Sequence, residues 1–209
     1  MKLIVDKNKH GIETKEFREY LKTPVLKSEI TTSEADELRK QLEQAHKEFG
    51  GIGISATQIG IKKRACFIKF RDRELFLLNP VIIERSKDAF LFYEGCLSIP
   101  RTMNSPVRTI RSSKVTISTD NMGELIFEVN MEGDKDEVST ETMMTVLVQH
   151  EIDHLDGITV KDRVYSTTVV KKVSYGRNDK IVMKSPDGEL IEVKYKKANE
   201  YFLQGYEIV

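Results

Sequence analysis

The sequence predicts an α+β fold, with antiparallel β-sheets around a central α-helix and a further helix towards the N-terminus. Two segments have helical spacing, at residues 31–51 and 141–155, and short strand-like runs fill the chain between about 60 and 130. The length of 209 residues suits one well-buried domain and is slightly short for two. No internal repeat or linker divides the chain, so residues 1–209 are predicted to form a single domain.

The first predicted helix reads TTSEADELRKQLEQAHKEFGG and has clear signals at both ends. Thr31 with Glu34 has the spacing of a capping box, and two glycines end the segment. Its apolar residues recur at helical spacing: Leu38, Leu42, Ala45 and Phe49. Residues 1–30 give weak signals, and Pro24 argues against a continuous helix there.

Strand-like runs follow this helix. They read RACFIKF, ELFLLNPVIIER, SKVTISTD and GELIFEVNM, and charged residues, Asn-Pro or Asp-Asn turns separate them. An acidic connection at 131–142 then leads into the second helix, which Ser139 or Thr140 can cap. In the tail, at about 166–209, Ser-Pro-Asp-Gly predicts a β-hairpin.

Composition excludes several classes of protein. Lys and Arg number 33, as do Asp and Glu, so the formal net charge is zero and the global basic excess of a nucleic-acid binder is absent. No apolar run is long enough to cross a bilayer and no signal-peptide pattern opens the chain, which makes the cytoplasm the expected compartment. Two cysteines are too few for a disulfide scaffold, and Cys66, within an apolar strand, is interpreted as a core residue.

The second helix carries the motif HExxH, in the sequence QHEIDHLDG. His150 and His154 are four residues apart and therefore share one helix face, where two imidazoles supply half of a tetrahedral metal site. Glu151 is placed to move protons beside that site. Because no histidine follows His154, the third ligand is expected upstream, and the Cys96 thiolate is the best candidate.

A glycine-rich segment, GGIGISATQIG at 50–60, adds polar groups suited to such a site. Gly53 permits close approach of the backbone, and the amide of Gln58 can donate a hydrogen bond to a developing oxyanion. The spacing of the glycines does not match a nucleotide-binding fingerprint.

Three segments, GIGISATQ, EGCLS and QHEIDHLDG, occur in this order and closely resemble the signature motifs of peptide deformylases. The resemblance covers roughly residues 50–165. It implies a cytoplasmic hydrolase that removes the formyl group from N-formylmethionine of new polypeptides, usually with Fe(II), and with Zn, Ni or Co as substitutes. Nascent formylated chains would be its partners, with a possible transient ribosome contact and no nucleic-acid or membrane binding.

The resemblance also assigns roles to individual residues. Cys96, His150 and His154 would bind the metal, with a water in the fourth position that attacks the formyl carbon. Glu151 would act as general base and then general acid, while the Gln58 side chain and the Leu97 N–H would hold the oxyanion. Gly53 corresponds to the motif glycine that lines the site. The residues expected to form the apolar slot for methionine are Ile52, Phe92, Met143, Val146 and Leu147.

Several features depart from the usual pattern of this family. Ser55 stands where alanine is usual, Met103 stands where many bacterial members have an arginine, and residues 131–142 look like an insertion. The tail predicts a hairpin where some members have a helix. Glu94 is expected to act behind the ligands, paired with Arg108.

Three other functions stay open at this point. They are a small metallopeptidase, a catalytically silent relative that binds nascent chains or ribosomes, and a purely structural zinc site. The lack of a downstream third ligand argues against the first, and the positioned glutamate argues against the last.

Overall fold

The computed structural model describes residues 1–130, 138–165, 178, 180–185, 187–202 and 207–208. Most of the acidic insertion, at 131–137, lies outside these residues. The chain separates into two compact units, Met1–Ser166 and Thr167–Val209. That all 209 residues act as one catalytic domain stays a prediction.

The first long helix, α1, spans Thr32–Phe49 and begins at the expected capping box. Thr31 accepts a hydrogen bond from the Glu34 N–H, and the Glu34 carboxylate accepts one from the Thr31 N–H at 2.9 Å. The helix ends at Gly50, whose φ of 74° lies in the left-handed region. Its buried face contributes Leu38, Leu42 and Ala45 to a cluster with Ile54, Ala56, Ala65, Phe67 and Leu78.

Eight strands of the first unit form three antiparallel sheets, and this confirms the α+β class. The first sheet joins β1 (Gly53–Ser55), β2 (Ala65–Phe70) and β3 (Arg73–Leu78). The second has the order β4-β7-β8, where β4 is Val81–Arg85, β7 is Lys114–Thr119 and β8 is Gly123–Glu128. The third pairs β5 (Ala89–Glu94) with β6 (Val107–Ser112), and a short helix, α2 (Pro100–Asn104), lies between them in the chain.

Helix α3 (Thr140–Leu155) contains the HExxH motif and packs against strands of the first and second sheets. The Ser139 hydroxyl caps it by accepting a hydrogen bond from the Thr142 N–H at 3.1 Å. Several of its apolar residues, among them Val148 and Ile152, belong to a cluster that includes Cys66, Leu77 and Ile117. Cys66 is therefore a core residue, as expected, and burial raises the pKa of its thiol.

The second unit has a sheet of its own, with β9 (Lys180–Lys184) between β10 (Leu190–Lys194) and β11 (Glu207–Ile208). Strands β9 and β10 pair antiparallel where the sequence predicted a hairpin. A separate apolar cluster contains Ile181, Met183 and Ala198, the last of which begins helix α4 (Ala198–Phe202). Among the described residues, no helix has the length and apolar character needed to cross a bilayer.

Candidate metal centre

Cys96, His150 and His154 come together although they are far apart in the chain. Their ligand atoms lie within 4.8 Å of one another, and all three residues are buried. The two histidines occupy successive turns of α3, and Cys96 lies in the turn that follows β5. That turn is fixed from both sides, because the Cys96 N–H donates to Thr102 Oγ1 at 3.0 Å and the Cys96 carbonyl accepts from the Ile99 N–H at 2.9 Å.

A buried carboxylate sets the orientation of one of these imidazoles. His150 Nδ1 lies 2.7 Å from Glu94 Oε2. Because a carboxylate only accepts hydrogen bonds, Nδ1 carries a proton, and Nε2 is the nitrogen that can bind a cation in place of a proton. Cys96 Sγ lies 3.3 Å from Nε2 of the other imidazole, that of His154.

The partner predicted for Glu94 was wrong. Arg111 binds Glu94 through two nitrogens, at 2.6 and 2.7 Å, and also donates to Asp153 at 2.5 Å. Arg108 instead donates to the Tyr93 hydroxyl at 2.7 Å. The reason is strand alternation: Glu94 is opposite Val107 in the ladder, so Arg111 shares its face of the sheet and Arg108 lies on the other face.

Buried charged groups surround the three donors. Burial opposes ionisation of Glu94, yet hydrogen bonds from Arg111 and His150 hold the pKa of its carboxyl well below the usual range. Burial likewise opposes protonation of His150, but Cys96 and Glu94 raise the pKa of its imidazole. One sulfur and two imidazole nitrogens are ligands that iron and zinc accept, so the residues present fit a divalent transition metal.

Glu151 is buried beside the three donors. Its Oε2 makes no hydrogen bond with any residue that the structure describes, and burial raises the pKa of the carboxyl to about 7. A Cβ atom built on Gly53 would collide with Glu151 Oε1. Gly53 therefore provides the space that the carboxylate occupies.

Two hydrogen-bond donors belong to residues that share a cavity with Glu151. Gln58 Oε1 accepts from the Ser55 N–H at 2.9 Å, which orients the amide so that Nε2 donates to Ser98 Oγ at 3.2 Å. The Leu97 N–H makes no hydrogen bond within the described part of the chain. The hydroxyl of Ser55 lies 3.2 Å from Gln58 Oε1, so serine at this position adds a contact that alanine would lack.

A cavity of about 220 Å³ opens onto these groups. Gln58, Cys96, Leu97, His150 and Glu151 line it, whereas His154 is fully buried and does not. All five residues predicted for the apolar slot contribute to its wall: Ile52, Phe92, Met143, Val146 and Leu147. Sequence reasoning did not include Tyr93 and Pro106, which also line it, or assign a place in the wall to Met103.

Comparison with known proteins identifies the family. A family model described as polypeptide deformylase matches residues 15–169. The chain belongs to the peptide deformylase family. A peptide deformylase of Dictyoglomus thermophilum is 31% identical over 149 residues, which cover 71% of this chain and 89% of that one. Another, from Natranaerobius thermophilus, is 38% identical over 117 residues, covering 56% and 67% of the two chains.

Solved peptide deformylase structures have the same fold as this family member. A probable peptide deformylase from Synechococcus phage S-SSM7 aligns with a TM-score of 0.59 and 25% identity, over 78% of this chain and 99% of that one. The class I type b peptide deformylase of Acinetobacter baumannii aligns with a TM-score of 0.56 and 26% identity, over 78% and 100% of the chains. The predicted family is thus confirmed, and with it the class of enzyme.

Proposed function

We propose that this chain is a metal-dependent hydrolase that removes the formyl group from N-formylmethionine at the start of newly made polypeptides. One observation supports this most: three metal donors, an unbonded buried glutamate and an apolar pocket share one cavity. Membership of the deformylase family supplies the substrate class. Transient contact with the ribosome and a cytoplasmic location stay predictions.

Cys96 Sγ, His150 Nε2 and His154 Nε2 would hold the metal, for which we propose Fe(II), with Zn, Ni or Co as substitutes. A divalent ion in this position supplies Lewis acidity, which polarises a carbonyl and lowers the pKa of water. Glu94 keeps the His150 ring in place through its hydrogen bond to Nδ1.

Glu151 is the group that we assign to proton transfer. Its free Oε2 can accept the proton of a water that attacks the formyl carbon, and then return a proton to the departing amine. Because Gly53 leaves room only for the carboxylate, the position of Glu151 is restricted on that side.

The oxyanion that forms during attack needs donors that are already in place. Gln58 and Leu97 both border the cavity, and the fixed Gln58 amide and the free Leu97 N–H are assigned to this role. Losing one such donor typically lowers kcat about 10²–10³-fold. The apolar wall formed by Ile52, Phe92, Met143, Val146 and Leu147 would hold the methionine side chain.

The test is formate release from a formyl-Met tripeptide by protein purified without oxygen and loaded with Fe(II) or Ni(II). Glu151→Ala should abolish release and retain the metal, since Glu151 is not one of the three donors. Glu141→Ala, an exposed position on the same helix, is the matched control and should stay active. No release by metal-loaded wild type would contradict the proposal and favour a silent binding protein. Cleavage of unformylated peptides would favour a metallopeptidase.

The identity of the metal has its own test. Ferrous iron bound by a cysteine thiolate is prone to oxidation, and Cys96 is the only sulfur donor among the described metal ligands. We expect the iron form to lose formate release in air and the nickel form to keep it, measured as activity and metal content over time. Equal stability of the two forms in air would contradict iron as the vulnerable metal.

A further inference from the structure

The first fourteen residues precede the part of the chain that the family model matches, at 15–169. They nevertheless reach the candidate site. The Ile4 N–H donates to the Gln58 carbonyl and the Asp6 N–H donates to the Ser98 carbonyl, both at 2.8 Å. This segment thus connects the two loops that carry the assigned oxyanion donors, Gln58 and Leu97.

Asp6 adds a second, electrostatic connection. Its side chain is 3% exposed, and Oδ2 pairs with Arg101 Nη2 at 2.9 Å and with Lys161 Nζ at 2.5 Å. Arg101 belongs to α2, directly after the Cys96 turn, and Lys161 belongs to the short helical turn Val160–Arg163 after α3. One carboxylate oxygen therefore joins the N-terminal segment to α2, which follows the Cys96 turn, and to the helical turn that follows α3.

The rest of the segment holds this carboxylate in place. The Asp6 carbonyl accepts from the Thr14 N–H at 3.0 Å, and the Thr14 hydroxyl donates to the Val5 carbonyl at 2.6 Å. Ile4 packs in a cluster with Phe17, Leu21, Cys96, Ile99 and Val160. The segment is anchored by apolar packing, and Asp6 is its charged contact with the site loops.

We propose that Asp6 is a positioning residue that keeps the Leu97 N–H and the Gln58 amide at a fixed spacing. This inference rests on the proposed function, because it concerns donors to the oxyanion of that reaction. Asp6 does not line the cavity, so its carboxylate acts through Arg101 and Lys161, while its backbone N–H contacts the Ser98 carbonyl. A donor displaced by a fraction of an ångström stabilises the transition state less, while binding of the ground state changes little.

The experiment compares Asp6→Asn with Glu13→Gln in the metal-loaded full chain. Glu13 lies in the same segment, is half-exposed and pairs only with Arg18 among the described ion pairs. Glu13→Gln therefore also removes one carboxylate from this segment and serves as the matched control. We expect Asp6→Asn to lower kcat about 10-fold, less than outright loss of a donor, with KM within about twofold of wild type. Glu13→Gln should leave both constants unchanged, and both variants should keep full metal content.

A second readout separates positioning from a general loss of stability. If Asp6 fixes the spacing between the Leu97 N–H and the Gln58 amide, Asp6→Asn should lower kcat much less in a Gln58→Ala background than in wild type. Equal effects in the two backgrounds would overturn the proposal, as would a kcat for Asp6→Asn that matches Glu13→Gln.

Hydrogen–deuterium exchange provides a measurement that does not depend on activity. Backbone exchange in residues 95–104 and 53–60 should be faster in Asp6→Asn and unchanged in Glu13→Gln. If wild type releases no formate, the proposed function fails, and exchange alone decides whether Asp6 positions these loops. Unchanged exchange in Asp6→Asn would overturn the inference.

If Asp6→Asn does not fold, Arg101→Gln replaces it. The Arg101 side chain is 60% exposed, and its change removes one of the two ion pairs while the buried Asp6 carboxylate stays paired with Lys161. A smaller fall in kcat and faster exchange in residues 95–104 are expected. No change in either measurement would overturn the inference.

Discussion

At the scale of single residues, Glu94 connects the metal donors to the rest of the protein. It accepts hydrogen bonds from His150, Arg111 and the hydroxyl of Thr109, and it is almost fully buried. Such contacts behind a metal ligand orient the ring and raise its basicity. The loss of the carboxylate should therefore weaken metal binding.

We expect Glu94→Gln to weaken metal binding by about 10–100-fold, the range seen when contacts behind a ligand are removed. Competition with a chelator of known affinity measures this directly. Glu124→Gln, an exposed position on β8, is the control and should bind metal as wild type does. Wild-type affinity in Glu94→Gln would show that the carboxylate does not support the ligand.

A second prediction at this scale concerns the space beside Glu151. In Gly53→Ala the new methyl group would meet Glu151 Oε1, so the carboxylate must move. A displacement of about 1 Å can lower the rate about 10²-fold. Formate release should fall by this order with metal content unchanged, and activity equal to wild type would show that the carboxylate tolerates the shift.

At the scale of elements, the ends of the helices were the most predictable features. Thr31 with Glu34 and Ser139 gave correct starts because capping is a local interaction within a few residues. The β5–β6 pair was not assigned from sequence, since its two strands are separated by the Cys96 turn and α2. The partner of Glu94 was missed for the same reason, because it depends on which face of β6 each arginine occupies.

The cap of α1 gives a prediction about stability without a change in chemistry. Thr31→Ala removes the oxygen that accepts from the Glu34 N–H and should lower the free energy of unfolding by about 1 kcal/mol. Urea denaturation measures this, with Thr32→Ala, an exposed neighbour within the helix, as the control. Formate release should be the same in both variants, and equal stability of the two would contradict a role for the cap.

At the scale of the whole molecule, the candidate site lies entirely in the first compact unit. Every residue with an assigned role falls within Met1–Ser166, and the apolar cluster of Ile181, Met183 and Ala198 lies in the second unit. The chemistry could be predicted because three short motifs carry its polar groups. The division into two units could not be predicted, because it depends on contacts between residues that are far apart in the sequence.

A chain that ends at residue 169, where the family match ends, should therefore release formate from a formyl-Met tripeptide. Formate release and metal content, each compared with the full-length protein, test this. An inactive truncated chain that is folded and metal-loaded would show that the second unit is required for catalysis.

The contacts behind His150 also limit how this sequence can diverge. A series of ion pairs joins buried or half-buried side chains of opposite charge: Glu94, Arg111, Asp153 and Arg163. The series contacts α3 twice, because Glu94 binds His150 and Asp153 belongs to that helix. Replacing one buried member leaves a charge without its counterpart, which is far more costly than replacing the pair together. Substitutions in this series should therefore arise in pairs, and related sequences should change Glu94 and Arg111 together or keep both.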